Sequence, residues 1–233
     1  MNLFSTWKHR LLIAQRIFSK TFFKALGPIN TRLQPEELFD VKPGYHHAGS
    51  AESFIAVNSD DEYQRSVYKL AGDLASAMNN PTILDVGCGS GSKLINMPGN
   101  YSTVGIEVEP TYSWLVKTYP KRKWLLYDPV ATRGIQADIV ICADVIEHIS
   151  NPDELMIFLN TLQFKYLVIS TPERDRIFGT NDYGPPQNTF HYREWNAEEF
   201  AKYISRWFLI HQQHVFDDKS ITQAIVCSRN ELL

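Results

Sequence analysis

Residues 82–94 contain the pattern that most directly suggests ligand chemistry. A β-forming run, Thr82–Val86, carries an acid at Asp85 and leads into GCGSG, residues 87–91, after which Ser92 begins a helical stretch. Glycines remove side chains from a turn and tolerate positive φ, so a ligand can touch the backbone there. A strand, a tight turn and a helix N-terminus in this order can bind a cofactor, although an ordinary connection between a strand and a helix has the same pattern.

Two acidic residues follow at the ends of the next predicted strands. Glu107 lies near the end of residues 103–108, and Asp128 follows residues 123–127. A carboxylate at the end of the second strand, here Glu107, is placed to accept hydrogen bonds from ribose hydroxyls. The carboxylate at the end of the third strand, Asp128, could accept one from an adenine amino group. A dinucleotide dehydrogenase uses the same logic, but its fingerprint needs glycine or alanine three positions after the second glycine, where this chain has Ser92.

A second group of chemically active residues follows the fourth predicted strand, residues 137–142. Glu147 and His148 come shortly after it, and His191 lies in the later segment HYREW, residues 191–195. Imidazole and carboxylate groups act as general bases, so these three residues are our candidate catalytic residues. Asp144 precedes His148 by four residues, and this spacing predicts that the two lie one helical turn apart.

The candidate residues must be positioned by secondary structure, and the sequence predicts alternating strands and helices. A helix is predicted from the acids at residues 60–62 to Met78, followed by β-rich runs separated mostly by helical segments. This alternation predicts a doubly wound, mostly parallel α/β sheet. The last two runs are joined only by residues 217–220, which requires an antiparallel hairpin. The predicted strands are residues 82–86, 103–108, 123–127, 137–142, 166–170, 207–216 and 221–228.

The first 58 residues have a different character from the rest. Residues 1–26 form an amphipathic pattern with aromatic residues on one face, and residues 1–35 carry six lysines and arginines and no acid. A helix of this kind could make a peripheral membrane contact through residues 3–26. We favour packing on the domain or on a second copy, because Ile13 and Ile17 fall near the polar face. Residues 28–58 are irregular, so we predict a helical extension and a linker or lid over 1–58 and one domain over 59–233.

Composition excludes several classes of protein. The chain has 233 residues, of which 44% are hydrophobic and 21% charged, enough to bury a sizeable core and too apolar for a disordered polyelectrolyte. The sequence has no apolar run long enough for a polytopic membrane protein. Three scattered cysteines indicate no disulfide scaffold and favour a cytoplasmic location. Residues 36–233 contain 17 basic and 26 acidic residues, a charge of −9, so nucleic acid is an unlikely partner.

Residues 60–228 resemble the class I S-adenosylmethionine-dependent methyltransferases. The string DVGCGSG, residues 85–91, is similar to the family's most characteristic motif. The string ADIVICADVIEHI, residues 137–149, is similar to the family's fourth strand and the loop after it, and LVISTP, residues 167–172, is similar to its fifth strand. The resemblance implies a seven-stranded sheet that ends in an antiparallel hairpin, and S-adenosylmethionine as cofactor. It implies these cofactor contacts: Asp85, Gly87, Cys88, Gly89 and Gly91 with the methionine part, Glu107 with the ribose, Asp128 with the adenine, and Ala143 and Asp144 closing over the ligand.

The pair of motifs DxxEH, residues 144–148, and HxxEW, residues 191–195, is similar to metal-assisted O-methyltransferases of ubiquinone synthesis and of small RNA. In the RNA group two glutamates and two histidines hold a divalent ion, whereas this chain has Asp144 at the first position. The sequence therefore leaves Mg²⁺ or Mn²⁺ open and assigns no metal ligand. An unaided base, His148 or His191, is our favoured interpretation.

The expected reaction is O-methylation of a small molecule. The segments TPERDR, residues 171–176, and HYREW resemble bacterial enzymes associated with cell-surface saccharides, which implies a sugar or glycoconjugate acceptor. Arg174, Arg176 and Arg193 could hold an anionic group on it. Two alternatives stay open: metal-assisted 2′-O-methylation of RNA, and a non-catalytic binding module that retains only the fold.

Overall fold

The computed structural model describes residues 39–50, 62–217 and 219–230. The predicted N-terminal helix, with its proposed membrane contact through residues 3–26, lies outside these ranges, as does the predicted domain boundary at residue 58. Among the described residues, no helix has the length and apolar character needed to cross a membrane. The three cysteines are free and buried.

Seven strands form one sheet in the order β3-β2-β1-β4-β5-β7-β6. Neighbouring strands from β3 to β5 run parallel, whereas β7 is antiparallel to both β5 and β6. The predicted fold class is therefore confirmed, and every predicted strand end lies within two residues of the observed one. The strands are β1 Thr82–Val86, β2 Ser102–Glu107, β3 Lys123–Leu126, β4 Ile139–Ala143, β5 Tyr166–Pro172, β6 Phe208–Asp217 and β7 Ile221–Arg229.

Helices cover both faces of the sheet, because the central strands are apolar on both sides. One core contains apolar side chains of α1, α2 and α3, and the other contains those of α4 and α6. The helices are α1 Arg65–Ser76, α2 Ser92–Ile95, α3 Thr111–Thr118, α4 Pro152–Thr161, α5 Arg174–Phe178 and α6 Ala197–Ser205, with a 3₁₀ helix at Ile146–His148.

Helix α1 begins later than the acids at residues 60–62 predict. Gln64 has a φ of 62°, in the left-handed region, so the helix cannot extend through it and starts at Arg65. The Gln64 side chain instead donates a hydrogen bond from Nε2 to Oδ2 of Asp144, at 2.9 Å. The start of α1 is thereby fixed beside the end of β4.

The strand order places the site. From β1 the chain proceeds outward through β2 and β3, and then returns to the other side of β1 with β4. Ligands of open α/β sheets bind at such a reversal, in the crevice beyond the carboxyl ends of the strands. Glu107 ends β2, and Asp144 follows β4 directly, so both lie at this edge.

Residues 39–50, here called the 39–50 segment, are irregular as predicted and pack on the domain. Tyr45 is fully buried, and its hydroxyl accepts a hydrogen bond from the backbone N–H of Glu194 at 3.1 Å. The backbone carbonyl of Phe39 accepts one from Nε1 of Trp195, at 2.8 Å. The segment therefore supports the HYREW residues that contribute to the site.

Candidate active site

The glycine turn requires its glycines. Gly87, Gly89 and Gly91 have φ values of 75°, 55° and 69°, which side-chain-bearing residues rarely adopt. A Cβ on Gly87 would also meet Cγ2 of Val145 at 2.6 Å, and one on Gly91 would meet the Trp124 ring at 2.6 Å. The turn is thus held close to the loop after β4, with backbone as its surface.

Glu107 and Cys88 both lie against this turn. The Oε1 atom of Glu107 accepts a hydrogen bond from the Gly89 N–H at 3.1 Å, and Oε2 accepts one from the Val108 N–H at 2.7 Å. Burial raises the pKa of Glu107. The Cys88 thiol is buried in the core, where a Cβ on Gly105 would meet Sγ at 2.6 Å, and burial raises the pKa of the thiol well above its usual value. A cofactor contact by Cys88 would therefore come from its backbone.

Asp85 is fully buried, one residue before the turn. Its Oδ2 accepts a hydrogen bond from the Tyr68 hydroxyl at 2.8 Å, and its Oδ1 has no partner among the described residues. Burial raises the pKa of Asp85 to about 7, against the opposing effects of Tyr68 and Lys93. Tyr68 was not among the residues that the sequence singled out.

Asp128 is exposed beyond the end of β3. Its Oδ1 accepts hydrogen bonds from the N–H groups of Val130 and Ala131 at 2.8 and 2.9 Å, and these bonds lower the pKa of Asp128. The carboxylate therefore caps the following turn. Its contact with adenine stays a prediction.

Asp144 occupies a different conformation from the predicted one. Its φ is 51°, and the 3₁₀ helix that contains His148 starts only at Ile146, so the expected single helical turn from Asp144 to His148 is wrong. Its Oδ1 accepts a hydrogen bond from the Ser170 hydroxyl at 2.6 Å, in addition to the Gln64 contact on Oδ2. Ala143, the last residue of β4, is buried beside Ser170.

The three predicted catalytic residues do meet. Glu147, His148 and His191 each offer a ligand atom within 4.8 Å of the others, and the two imidazole centroids are 4.8 Å apart. The Tyr192 N–H donates to the backbone carbonyl of Glu147 at 2.8 Å, which joins the two segments. We call this group the Glu147–His148–His191 cluster.

Hydrogen bonds define the tautomer of both histidines. Nδ1 of His191 lies 2.6 Å from Oε1 of Glu194, and Nδ1 of His148 lies 2.9 Å from the backbone carbonyl of Phe190. Carboxylate and carbonyl oxygens accept here, so Nδ1 carries the proton in both rings, and Nε2 of the neutral ring carries a lone pair. The bond from Nδ2 of Asn188 to Nε2 of His191, at 3.0 Å, agrees with this tautomer. Burial, followed by the neighbouring His191, lowers the pKa of His148 to about 4, which keeps this ring neutral at physiological pH.

The Glu147 side chain is fully buried. Its Oε2 accepts a hydrogen bond from the Thr171 hydroxyl at 3.0 Å, whereas its Oε1 has no partner within the described part of the chain. Burial, with the nearby Asp144 second, raises the pKa of Glu147 well above its usual value. Glu194 and Thr171 are functional candidates that sequence reasoning missed; for Glu194 the signal was its i,i+3 spacing from His191.

Two of the three predicted anion-binding arginines are structural. Arg174 is fully buried and donates two hydrogen bonds to the carboxylate of Glu199, at 2.7 and 2.8 Å. Arg193 is also buried and donates to the backbone carbonyls of Ile149 and Ser150. Since these guanidinium groups are occupied inside the protein, the predicted grip on an anion is wrong for both. Arg176 is exposed.

Sheet order, glycine turn and flanking acids together define a class I S-adenosylmethionine-dependent methyltransferase. Residues 58–224 match the family model described as "Methyltransferase domain", and the chain belongs to this family. S-adenosylmethionine is its cofactor, and methyl transfer its reaction. No sequence among the curated proteins matches this chain significantly.

Solved structures with this fold include enzymes with different methyl acceptors. Magnesium protoporphyrin IX methyltransferase from Synechocystis, solved with S-adenosylhomocysteine, is 17% identical with a TM-score of 0.55, over 75% of this chain and 91% of that one. The 1,6-didemethyltoxoflavin-N1-methyltransferase of Burkholderia thailandensis is 15% identical with a TM-score of 0.54, over 72% and 80%. A small RNA methyltransferase is 21% identical with a TM-score of 0.54, and the match spans 78% of this chain but only 27% of that one.

Proposed function

We propose that this methyltransferase transfers its methyl group to a hydroxyl oxygen of a small molecule, at the Glu147–His148–His191 cluster. The observation that carries the proposal is the pair of imidazoles, His191 buried and His148 half-buried, whose Nδ1 atoms are both fixed by acceptors. Nε2 is therefore the basic nitrogen of each ring. Nε2 of His191 accepts a hydrogen bond from Nδ2 of Asn188 at 3.0 Å, so an acceptor hydroxyl would take the place of this amide when it reaches the base.

The reaction explains why such a cluster is needed. Methyl transfer from a sulfonium is a direct displacement that depends on placing nucleophile, methyl carbon and sulfur in line. A neutral amine or a thiolate reacts with its own lone pair, whereas a hydroxyl must also lose its proton. His191 is the better placed base, because Glu194 orients its ring and would stabilise the imidazolium that forms.

Charge supports a small acceptor over RNA. Residues 36–233 carry a net charge of −9, and RNA binding depends on neutralising many phosphates with basic side chains. Of the three arginines predicted to hold an anionic group, Arg174 and Arg193 are buried and only Arg176 is exposed. A sugar or glycoconjugate with several hydroxyl groups fits this chemistry.

A divalent cation is a second way to activate the hydroxyl, and the residues fit it. The buried Oε1 of Glu147 has no partner among the described residues, and both imidazoles have the bonded Nδ1 typical of metal-ligating histidines. Glu147, His148 and His191 would hold the ion, with Nε2 of His191 released from Asn188, and this donor set suits Mn²⁺ or Zn²⁺ better than Mg²⁺. Such an ion would lower the pKa of the acceptor hydroxyl.

An acceptor screen with methyl-labelled S-adenosylmethionine tests the proposal. The panel contains alcohols, phenols, sugars and glycosides, with matched amines and thiols and a short RNA. Label on oxygen of a small molecule supports it, and label only on nitrogen, sulfur or RNA contradicts it. Repeating the reaction after chelation and after adding back Mg²⁺, Mn²⁺ or Zn²⁺ distinguishes an unaided base from a metal-assisted mechanism. Full activity in excess chelator would exclude metal assistance.

A further inference from the structure

We propose that Tyr68 is a positioning residue for the cofactor. Its hydroxyl holds Asp85, the acid that the family resemblance assigns to the methionine part, so that the second carboxylate oxygen accepts a hydrogen bond from the α-ammonium group of S-adenosylmethionine. This role of Tyr68 depends on the cofactor and not on the acceptor, so it does not require that a hydroxyl is methylated.

Three acids lie around the glycine turn, and their carboxylate oxygens differ in how they are hydrogen-bonded. Both oxygens of Glu107 accept backbone hydrogen bonds, and both oxygens of Asp144 accept bonds from Ser170 and Gln64. Asp85 differs, because Tyr68 bonds only its Oδ2, and Oδ1 is buried with no partner in the described ranges. Of these three acids, Asp85 is therefore the one with a carboxylate oxygen that no donor of the described residues contacts.

A ligand group that reaches Oδ1 of Asp85 has to supply a hydrogen-bond donor. A buried acceptor without a partner costs about 1–3 kcal/mol, so a ligand that supplies a donor gains correspondingly. A buried carboxylate is matched best by a cationic donor, which forms the stronger, charge-assisted bond. The α-ammonium is the cationic N–H donor of S-adenosylmethionine, whereas its ribose hydroxyls and adenine amino group are neutral.

Tyr68 fixes the orientation of the Asp85 carboxylate. It lies on the buried face of α1, where burial and Asp85 raise the pKa of its hydroxyl well above the usual value, so it stays a donor. Its bond to Oδ2 fixes the rotation of the carboxylate and leaves Oδ1 for the ligand. Lys93 lies 5.9 Å from the centre of the Tyr68 ring and favours the ionised form of Asp85, which burial otherwise opposes.

The alternative is that the Tyr68–Asp85 bond only stabilises the fold. Loss of the hydroxyl would then lower the free energy of unfolding and affect all cofactor-like ligands equally. The positioning role predicts a loss confined to ligands that carry the amino group. Calorimetric titration of the full chain with two ligands therefore separates the two roles: S-adenosylhomocysteine, and its analogue in which the amino group is replaced by hydrogen.

We expect Tyr68→Phe to weaken S-adenosylhomocysteine binding about tenfold, equivalent to one lost hydrogen bond, and to leave the desamino analogue within about twofold. Asp85→Asn should weaken S-adenosylhomocysteine further and abolish the preference for it over the analogue. The control is Tyr101→Phe, whose hydroxyl bonds the Pro98 carbonyl; both affinities should stay unchanged.

Equal weakening of both ligands by Tyr68→Phe, or no weakening of either, would overturn the positioning role. If Tyr68→Phe does not fold, Asp85→Asn decides: retention of the wild-type preference for the amino-containing ligand contradicts the proposal. Failure of the wild-type chain to bind S-adenosylhomocysteine would overturn the cofactor assignment together with it, whereas failure to methylate any hydroxyl would not affect it.

Discussion

The two halves of the site differ in how completely their polar atoms are bonded. In the cofactor half, around the glycine turn, Glu107 and Asp144 use both carboxylate oxygens within the protein, and Asp85 is the one acid of the three with an oxygen that lacks a partner in the described residues. In the acceptor half, Glu147 and Glu194 each keep a buried oxygen without a partner among the described residues. A prearranged half suits one fixed cofactor, and a half with unmet acceptors suits groups that gain or lose protons.

Substitutions in the two halves should therefore have different kinetic effects. Variants in the acceptor half should lower the rate at saturating cofactor, and variants in the cofactor half should lower affinity. If variants of either half change the rate at saturating cofactor and the cofactor affinity together, the two halves do not have separate roles.

Replacement of the proposed base should have the largest effect. We expect His191→Gln to lower kcat for the best hydroxyl acceptor about 10²–10⁴-fold, the usual contribution of a general base. The affinity for S-adenosylhomocysteine, measured by calorimetry, should not change. His211→Gln is the control, since His211 is exposed on the edge strand β6 and its ring contacts the Ser228 hydroxyl. Equal rates for wild type and His191→Gln would remove His191 from the mechanism.

Replacement of the ribose acid should have the next largest effect. Glu107→Gln substitutes an amide for a carboxylate that already accepts from Gly89 and Val108, so we expect S-adenosylhomocysteine to bind about 10–100-fold more weakly. The kcat at saturating S-adenosylmethionine should stay close to wild type. A large fall in kcat with unchanged affinity would place Glu107 in the chemical step instead.

Glu194→Gln should have a smaller effect than His191→Gln. Glutamine can still accept from Nδ1 of His191 but brings no charge to stabilise the imidazolium, so we expect kcat to fall about tenfold. The matched control is Glu198→Gln, an exposed acid near the start of α6. A similar loss in both variants would indicate a general charge effect and not a bond to the base.

Asp85 should leave a signature in the pH dependence of stability. Its pKa in the folded protein is about 7, against 3.8 for the ordinary group, so between these values the folded state holds a proton that the unfolded chain has lost. This contribution to the free energy of unfolding is lost as pH rises, by up to about 1.4 kcal/mol per pH unit. In urea denaturation from pH 5 to 8, Asp85→Asn should show a shallower decline. An unchanged slope would contradict the raised pKa of the buried carboxyl.

Local patterns predicted the cofactor half more fully than the acceptor half. The glycine turn and Glu107 depend on one strand–turn–helix unit and the strand after it, and both lie where the sequence indicates. The sequence does not identify Glu194 and Tyr68 as site residues, because their roles come from contacts with His191 and Asp85 that only the folded chain makes. Arg174 was misread for the same reason: its partner Glu199 is on a different helix.

The left-handed residues account for the remaining differences. Gln64 shortens α1, and Asp144 turns away from the helical path to His148, although neither is glycine. Both conformations are held by the hydrogen bond that joins the two side chains, with Ser170 on the other oxygen of Asp144. A tertiary contact of this kind overrides local propensity and leaves no periodic signal in the sequence.

The most direct test of proton removal by the acceptor half compares wild type and His191→Gln across a series of acceptors whose hydroxyl pKa falls step by step. A base matters less as the hydroxyl becomes more acidic, so the ratio of the two rates should decrease along the series and approach one for the most acidic member. A ratio that stays constant from the least to the most acidic acceptor would contradict the account.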